Sequence, residues 1–364
     1  MKKWLLAIGL LSAANVALAC TAVNITAKDG TVIAGRTMEW AFDMKWQINS
    51  MPAGTAFELS APSGLKLPAI AQKTKYALVG ISPAVLPGAP ALLEGQNSAG
   101  LSMSANFLPG FTEYQTVSAA DKHYVSILEF GTMVLGMYAT VEEIKKELPQ
   151  YKVWYDSSLP AGPTPPWLHF VLTDPTGASV IVEFVGGQMR LHDNVASVLT
   201  NSPTYDWQIT NLRNYLSLSN FARSSVDING QNVTEIGQGG GLMGLPADYT
   251  PPSRFVRAAY LRHFADVPQT RAENVQLVAH ILNNVDIPKG VAASKDGDKV
   301  VSDYTQWVAI KDLTNAQWHF TNYQNRTTYV TIDLKSLFES GKPGAWLVDD
   351  LPYPAANVTQ QLLK

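Results

Sequence analysis

Val16-Ala17-Leu18-Ala19-Cys20-Thr21-Ala22-Val23-Asn24 holds the only cysteine of the chain, and the reading of everything else turns on it. Upstream, Met1-Lys2-Lys3 is a basic start and Trp4 to Leu11 an apolar run. Ala17 and Ala19 then place small residues where a signal peptidase reads. Residues 1–19 therefore read as a cleavable export signal, and residues 20–364 as the mature domain. Cleavage after Ala19 leaves Cys20 first in the chain, with thiol and free α-amine on one carbon. Two fates are open to it. One is lipid attachment, although such sites favour a large aliphatic residue three before the cysteine and a small one two before, the reverse of Ala17 and Leu18. The other is an N-terminal nucleophile whose own α-amine serves as general base.

Composition narrows the choice. The chain has 364 residues, 46% hydrophobic and 16% charged, enough for one large domain with a buried core. The net charge of −3 becomes −5 once Lys2 and Lys3 leave with the signal, and no Lys/Arg run points to nucleic acid. Beyond the signal no apolar run is long enough to span a bilayer. A single cysteine in an exported protein makes no internal disulfide, and a lone thiol in an oxidising compartment is a liability, so its retention suggests use. The six histidines (123, 169, 192, 263, 280 and 319) lack ligand spacing, and neither a metal nor another cofactor is expected.

After Cys20, two β-rich runs, Thr21 to Thr26 and Thr31 to Arg36, flank Lys28-Asp29-Gly30 and predict a hairpin. A hairpin brings its strand ends within about 5 Å, which puts Arg36 and Glu39 beside Cys20. Residues 52 to 90 are rich in Pro, Gly and Ala and read as loop around a substrate mouth, with one strand at Tyr76 to Ile81. A strand is expected at Leu101 to Phe107 and helices at His123 to Tyr138 and Val141 to Leu148, the second capped by Thr140. Strands follow at Leu168 to Thr173, Ser179 to Val185, Met189 to His192 and Ala196 to Thr200. Helices are expected at Tyr205 to Leu216, Arg254 to Phe264 (Ser253 as N-cap) and Ala272 to Asn283. Last come strands near Gln306 to Lys311, Gln317 to Tyr323 and Thr328 to Leu334. Strand groups separated by helix pairs suggest an α+β domain with helices outside two mainly antiparallel sheets.

Three motifs fail in context. Gly239-Gly240-Gly241-Leu242-Met243-Gly244 fits a dinucleotide pattern, but Pro246, Pro251 and Pro252 follow where a helix should start. Ser63-Gly64-Leu65-Lys66 lies in a loop without the companion motifs of serine β-lactamases. The Asn-x-Thr sequons at Asn24, Asn232, Asn325 and Asn357 matter only on a eukaryotic secretory route.

With Cys20-Thr21-Ala22, Gly35-Arg36, Ala105-Asn106-Phe107, Leu199-Thr200-Asn201-Ser202-Pro203 and Pro252-Ser253-Arg254-Phe255 in view, the chain resembles the choloylglycine hydrolase family. That family holds N-terminal-nucleophile amidases, the bile salt hydrolases and penicillin V acylases. The resemblance implies a four-layer αββα sandwich and hydrolysis of a linear amide in a small N-acyl substrate. It assigns Cys20 as nucleophile and Arg36 as the cation favouring its thiolate. Glu39, an Asp in most members, would hold the α-ammonium. The Asn201 side chain and the Asn106 N–H would stabilise the oxyanion, and Arg254 would complete the site. Met38, Trp40, Phe42, Phe107, Leu108 and Phe111 are expected to build an apolar acyl pocket. Asn106 is the residue bile salt hydrolases tend to carry where some penicillin V acylases have Tyr. The export signal points instead to the periplasmic acylases, associated with penicillin V and N-acyl-homoserine lactones. The family also suggests a homotetramer. A lipid-anchored binding protein without catalysis stands as the reading of another class.

Overall fold

The computed structural model describes residues 19–86, 90–162 and 164–363. Apart from Ala19, the expected export signal lies outside the described residues.

The predicted hairpin forms from strands β1 (Cys20–Thr26) and β2 (Val32–Trp40), with Cys20 opposite Met38 and Ala22 opposite Arg36. The Asp29 carboxylate accepts the Thr31 N–H at 2.9 Å, and Gly30 supplies the positive φ of 85° that the turn requires. Beside β2 runs the Lys299–Asp312 strand, then Gln317–Asn322 and Val330–Asp333; Val198–Leu199 pairs with the free edge of β1. Ala292–Asp296 adds a seventh strand against Lys299–Asp312.

A second sheet of eight strands runs, in spatial order, Gln188–Asp193, Ser179–Val185, Leu168–Thr173, Ser102–Phe107, Glu94–Asn97, Leu78–Pro83, Trp46–Met51 and Gly344–Leu347. Every pairing within these two large sheets is antiparallel. Such pairs join through short turns and need no helical crossover, which frees the helices to form outer layers.

Helices α1 (Ile127–Met137) and α2 (Val141–Glu147) cover the eight-stranded sheet, packing Phe130, Val134 and Ile144 against Phe170 and Phe184. A short helix, α3 (Tyr205–Asn211), precedes α4 (Pro251–Phe264) and α5 (Arg271–Asn283). The last two cover the seven-stranded sheet through Phe255, Val278 and Leu282 against Ala22, Val23 and Ile33. Gly35 permits this close approach, because a Cβ there would stand 2.5 Å from Val278 Cγ1. Between the sheets lies a third cluster in which Cys20, Met38, Trp307 and Phe320 meet Trp46, Ile48 and Val79. The fold is the expected four-layer αββα sandwich.

Several local expectations are corrected. Tyr124–Ser126 is a strand paired with Lys152–Trp154, so α1 begins at Ile127, where the Glu129 carboxylate accepts the Ser126 N–H at 3.3 Å. The segment 52–90 holds a further hairpin, Ala56–Leu59 with Ile70–Lys73. Helix α4 starts at Pro251 behind Thr250, not behind Ser253. A proline lacks only an N–H that the first turn leaves unpaired anyway, so it opens the helix instead of breaking it.

Candidate active site

Alternation along β2 divides the site into two faces, since successive side chains point to opposite sides of a strand. Arg36, Met38 and Trp40 face the second sheet; Thr37 and Glu39 face the helices.

On the inner face the Arg36 guanidinium reaches the Cys20 sulfur. Nη2 lies 3.4 Å from Cys20 Sγ and donates to Ala105 O, while Nε donates to Asn106 Oδ1 at 3.1 Å. The guanidinium stacks 5.2 Å from the Trp307 ring centroid and 3.5 Å from Glu94 Oε2. Met38 Sδ is 3.9 Å from the cysteine sulfur. Burial pushes the Cys20 thiol up; the Arg36 charge is the strongest influence holding it down, and the Glu39 N–H and Arg254 add to that.

On the outer face Arg254 binds the chain around Cys20. Nη1 donates to Cys20 O at 2.6 Å and to Thr21 Oγ1 at 2.7 Å, Nη2 to Asn201 Oδ1 at 2.8 Å, and Nε to Tyr249 O at 2.9 Å. Asn201 Oδ1 also accepts the Cys20 N–H at 2.7 Å, and its Nδ2 donates to Phe107 O at 2.8 Å. With two donors on Oδ1 the amide orientation is determined, and one Nδ2 hydrogen remains for another acceptor.

The structure brings Cys20, Arg36, Asn106, Asn201 and Arg254 together and alters the expected role of Asn106; the Cys20 nitrogen is here the Ala19–Cys20 peptide nitrogen, before any free α-amine exists. Glu39 makes no hydrogen bond to the Cys20 nitrogen. Its oxygens accept from Thr305 Oγ1 at 2.6 Å and Thr37 Oγ1 at 3.0 Å, on the face away from Arg36. Burial pushes its carboxyl up to about 8 against the pull of Arg254. Asn106 joins through its side chain, with Nδ2 donating to Thr200 O at 2.8 Å and Leu199 O at 3.2 Å. Ala105 N–H donates to Leu93 O and Leu108 N–H to Trp167 O, so strand alternation turns the Asn106 N–H towards the Leu168–Thr173 strand and not towards the sulfur.

Cys20 and Arg36 line an apolar cavity of about 240 Å³. Met38, Trp40 and Phe107 line it as expected, with Trp46, Leu92 and Leu128. Leu108, Phe42 and Phe111 do not. Leu108, one residue beyond Phe107, points the other way and is fully enclosed, whereas Phe42 lies past the end of β2 and is 53% exposed, and Phe111 is 40% exposed. The missed residues are Glu94, Lys311, Thr305 and Gln306. The first two carried only a weak signal, a charge directly after an apolar run, Leu92-Leu93 before Glu94 and Trp307 to Ile310 before Lys311. Gln306 sits at a β-bulge and holds the rim, donating to Trp40 O and Phe42 O and accepting from Trp46 Nε1. Among the described residues no group of three or more His, Cys, Asp or Glu could hold a metal, and no helix is long and apolar enough to cross a membrane.

Residues 20–340 match the profile of the linear amide C–N hydrolases, choloylglycine hydrolase family. The chain is 30% identical to the bile salt hydrolase/transferase of Clostridium perfringens over 308 residues, covering 84% of this chain and 90% of that one. It is 26% identical to the penicillin V acylase of Pectobacterium atrosepticum, covering 84% of this chain and 77% of that one. The structure of a variant of the conjugated bile acid hydrolase from Clostridium perfringens superposes with a TM-score of 0.80 at 28% identity, covering 93% of this chain and all of that one. A sulfur held beside a buried arginine, in an αββα sandwich of this sequence, places the chain in the choloylglycine hydrolase family of linear amide C–N hydrolases.

Proposed function

We propose that the chain is an exported N-terminal-cysteine amidase of the penicillin V acylase type, acting also on N-acyl-homoserine lactones. The observation that carries the mechanism is Arg36 Nη2 at 3.4 Å from Cys20 Sγ, with both residues lining an apolar cavity. In this reading signal cleavage after Ala19 frees the α-amine, which takes the thiol proton; its ordinary pKa near ~8 suits neutral pH. The thiolate attacks the amide carbonyl, and Asn201 Nδ2 donates its free hydrogen to the oxyanion. Collapse breaks the C–N bond, the amine leaves with the proton held by the α-ammonium, and a thioester remains. Water, losing a proton to the α-amine, then cleaves the thioester and restores the thiol.

The cavity supports a slim acyl group. Its volume of about 240 Å³ is below the ~300–1,000 Å³ usual for drug-sized ligands, and every lining side chain apart from Cys20, Arg36 and Thr164 is apolar or aromatic. Conjugated bile salts are the second reading, favoured by Asn106 and by the 30% identity to a bile salt hydrolase/transferase. Hydrolysis of penicillin V, long-chain acyl-homoserine lactones and glyco- and tauro-conjugated bile salts, measured side by side, separates them. Turnover of bile salts alone would reverse the order. Mass spectrometry of the purified chain should find Cys20 first and unmodified; a diacylglycerol on it would end the nucleophile reading. Export to the periplasm and assembly as a tetramer complete the proposal, checked by fractionation and by light scattering.

A further inference from the structure

Behind Arg36 two ionisable side chains, Glu94 and Lys311, are fully buried between the sheets. Removing charges from water is costly, so a buried lysine persists only with good partners. Lys311 Nζ pairs with Glu94 Oε1, which also accepts from Ser104 Oγ at 3.1 Å. Glu94 Oε2 has no hydrogen-bond partner and faces Arg36 Nη1 at 3.5 Å, too far for a good bond. A tie between the sheets would be served as well by a carboxylate bonded through both oxygens. Instead, ammonium, carboxylate, guanidinium and sulfur form a row whose charges alternate once the thiolate forms.

We propose that Glu94 and Lys311 are positioning residues that set how much of the Arg36 charge reaches the Cys20 sulfur. Lys311 engages one carboxylate oxygen, which prevents Glu94 from closing a two-pronged ion pair on Arg36 and drawing it away. The other titratable groups acting on the sulfur are Glu39 of β2, on the opposite face of that strand and largely protonated at neutral pH through burial, and Arg254 of α4, with Asp303 and Arg257 near Arg254. They are common to the parent and every variant below.

The inference rests on Cys20 being the nucleophile, and its signature is a pair of shifts of opposite sign. In Lys311→Met the carboxylate is released onto Arg36, so alkylation of Cys20 by iodoacetamide at neutral pH should slow about tenfold and its pH profile move to higher pH. In Glu94→Gln the guanidinium is unopposed, so alkylation should quicken and the profile move to lower pH. Glu94→Gln/Lys311→Met should fall between the two, and Lys311→Arg should restore the parent profile. Equal shifts, no shifts, or shifts of reversed sign overturn the proposal. Should a single variant fail to fold, Ser104→Ala carries the test: it keeps both charges, takes one donor from Glu94, and must move the profile to higher pH, with no movement overturning the idea. If alkylation of the parent leaves turnover intact, the nucleophile reading fails instead, and the two failures are told apart.

Discussion

Replacing Arg36 by Met tests the electrostatics of the site most directly. The long apolar side chain fills much of the same volume and can still cover Trp307, so the change removes charge more than packing. Two unit charges 3.4 Å apart, the distance from Arg36 Nη2 to Cys20 Sγ, attract by roughly 5 kcal/mol at an effective dielectric of about 20. Glu94, 3.5 Å from the other guanidinium nitrogen, offsets part of this, which leaves about 1–4 kcal/mol favouring the thiolate. At neutral pH that is about a five- to thousandfold smaller thiolate fraction. The assay is the rate of Cys20 alkylation against pH, beside kcat/KM for amide hydrolysis. Both should fall together, and raising the pH should recover alkylation. Circular dichroism would confirm that the variant folds. An alkylation profile unchanged from the parent would refute the argument, because the sulfur would then be indifferent to the nearest cation.

Asn201→Asp keeps an acceptor for the Cys20 nitrogen and for Arg254 but loses the spare N–H, so kcat should drop by on the order of 10²–10³ with a smaller change in KM; an unchanged kcat would remove Asn201 from oxyanion binding. Glu39 gives a stability signature. Its carboxyl rises from 4.5 to about 8 on folding, so between those values the native state holds a proton that the unfolded chain has lost. The melting temperature should therefore fall as pH climbs from about 5 to 8, and Glu39→Gln should flatten that slope; a parent profile rising over the same range would contradict the assignment. Ala91→Phe should narrow the cavity and lower kcat/KM for bulky acyl groups about 10- to 100-fold while sparing alkylation by small iodoacetamide. Phe42→Ala and Phe111→Ala, outside the cavity, should change neither.

Much of this protein was legible in the chain because the signals were local. The Asp29-Gly30 turn and its flanking β-rich runs specify the hairpin, and the hairpin alone brings Arg36 to the inner face beside Cys20. Short runs rich in β-branched apolar residues, such as Ser179–Val185, announce strands whatever they pair with. A signal-like leader ending at Ala19 leaves Cys20 open to lipid attachment or to use as a nucleophile, and it is the resemblance of the rest of the chain that favours the second. Local order could not show what surrounds Glu39, whose carboxyl lies among Thr37, Thr305 and the charge of Arg254. Nor could it show that Phe42 and Phe111 fall outside the cavity, since a hydrophobic residue near a site in sequence is not bound to line it. Glu94 and Lys311 lie 217 residues apart, and only the packing of one sheet on the other makes them a pair. What the chain determines alone is which groups are available and the turns that start their strands; which charges meet is decided by the stacking of two sheets, because Coulomb interactions follow distance through space and take no account of separation along the backbone.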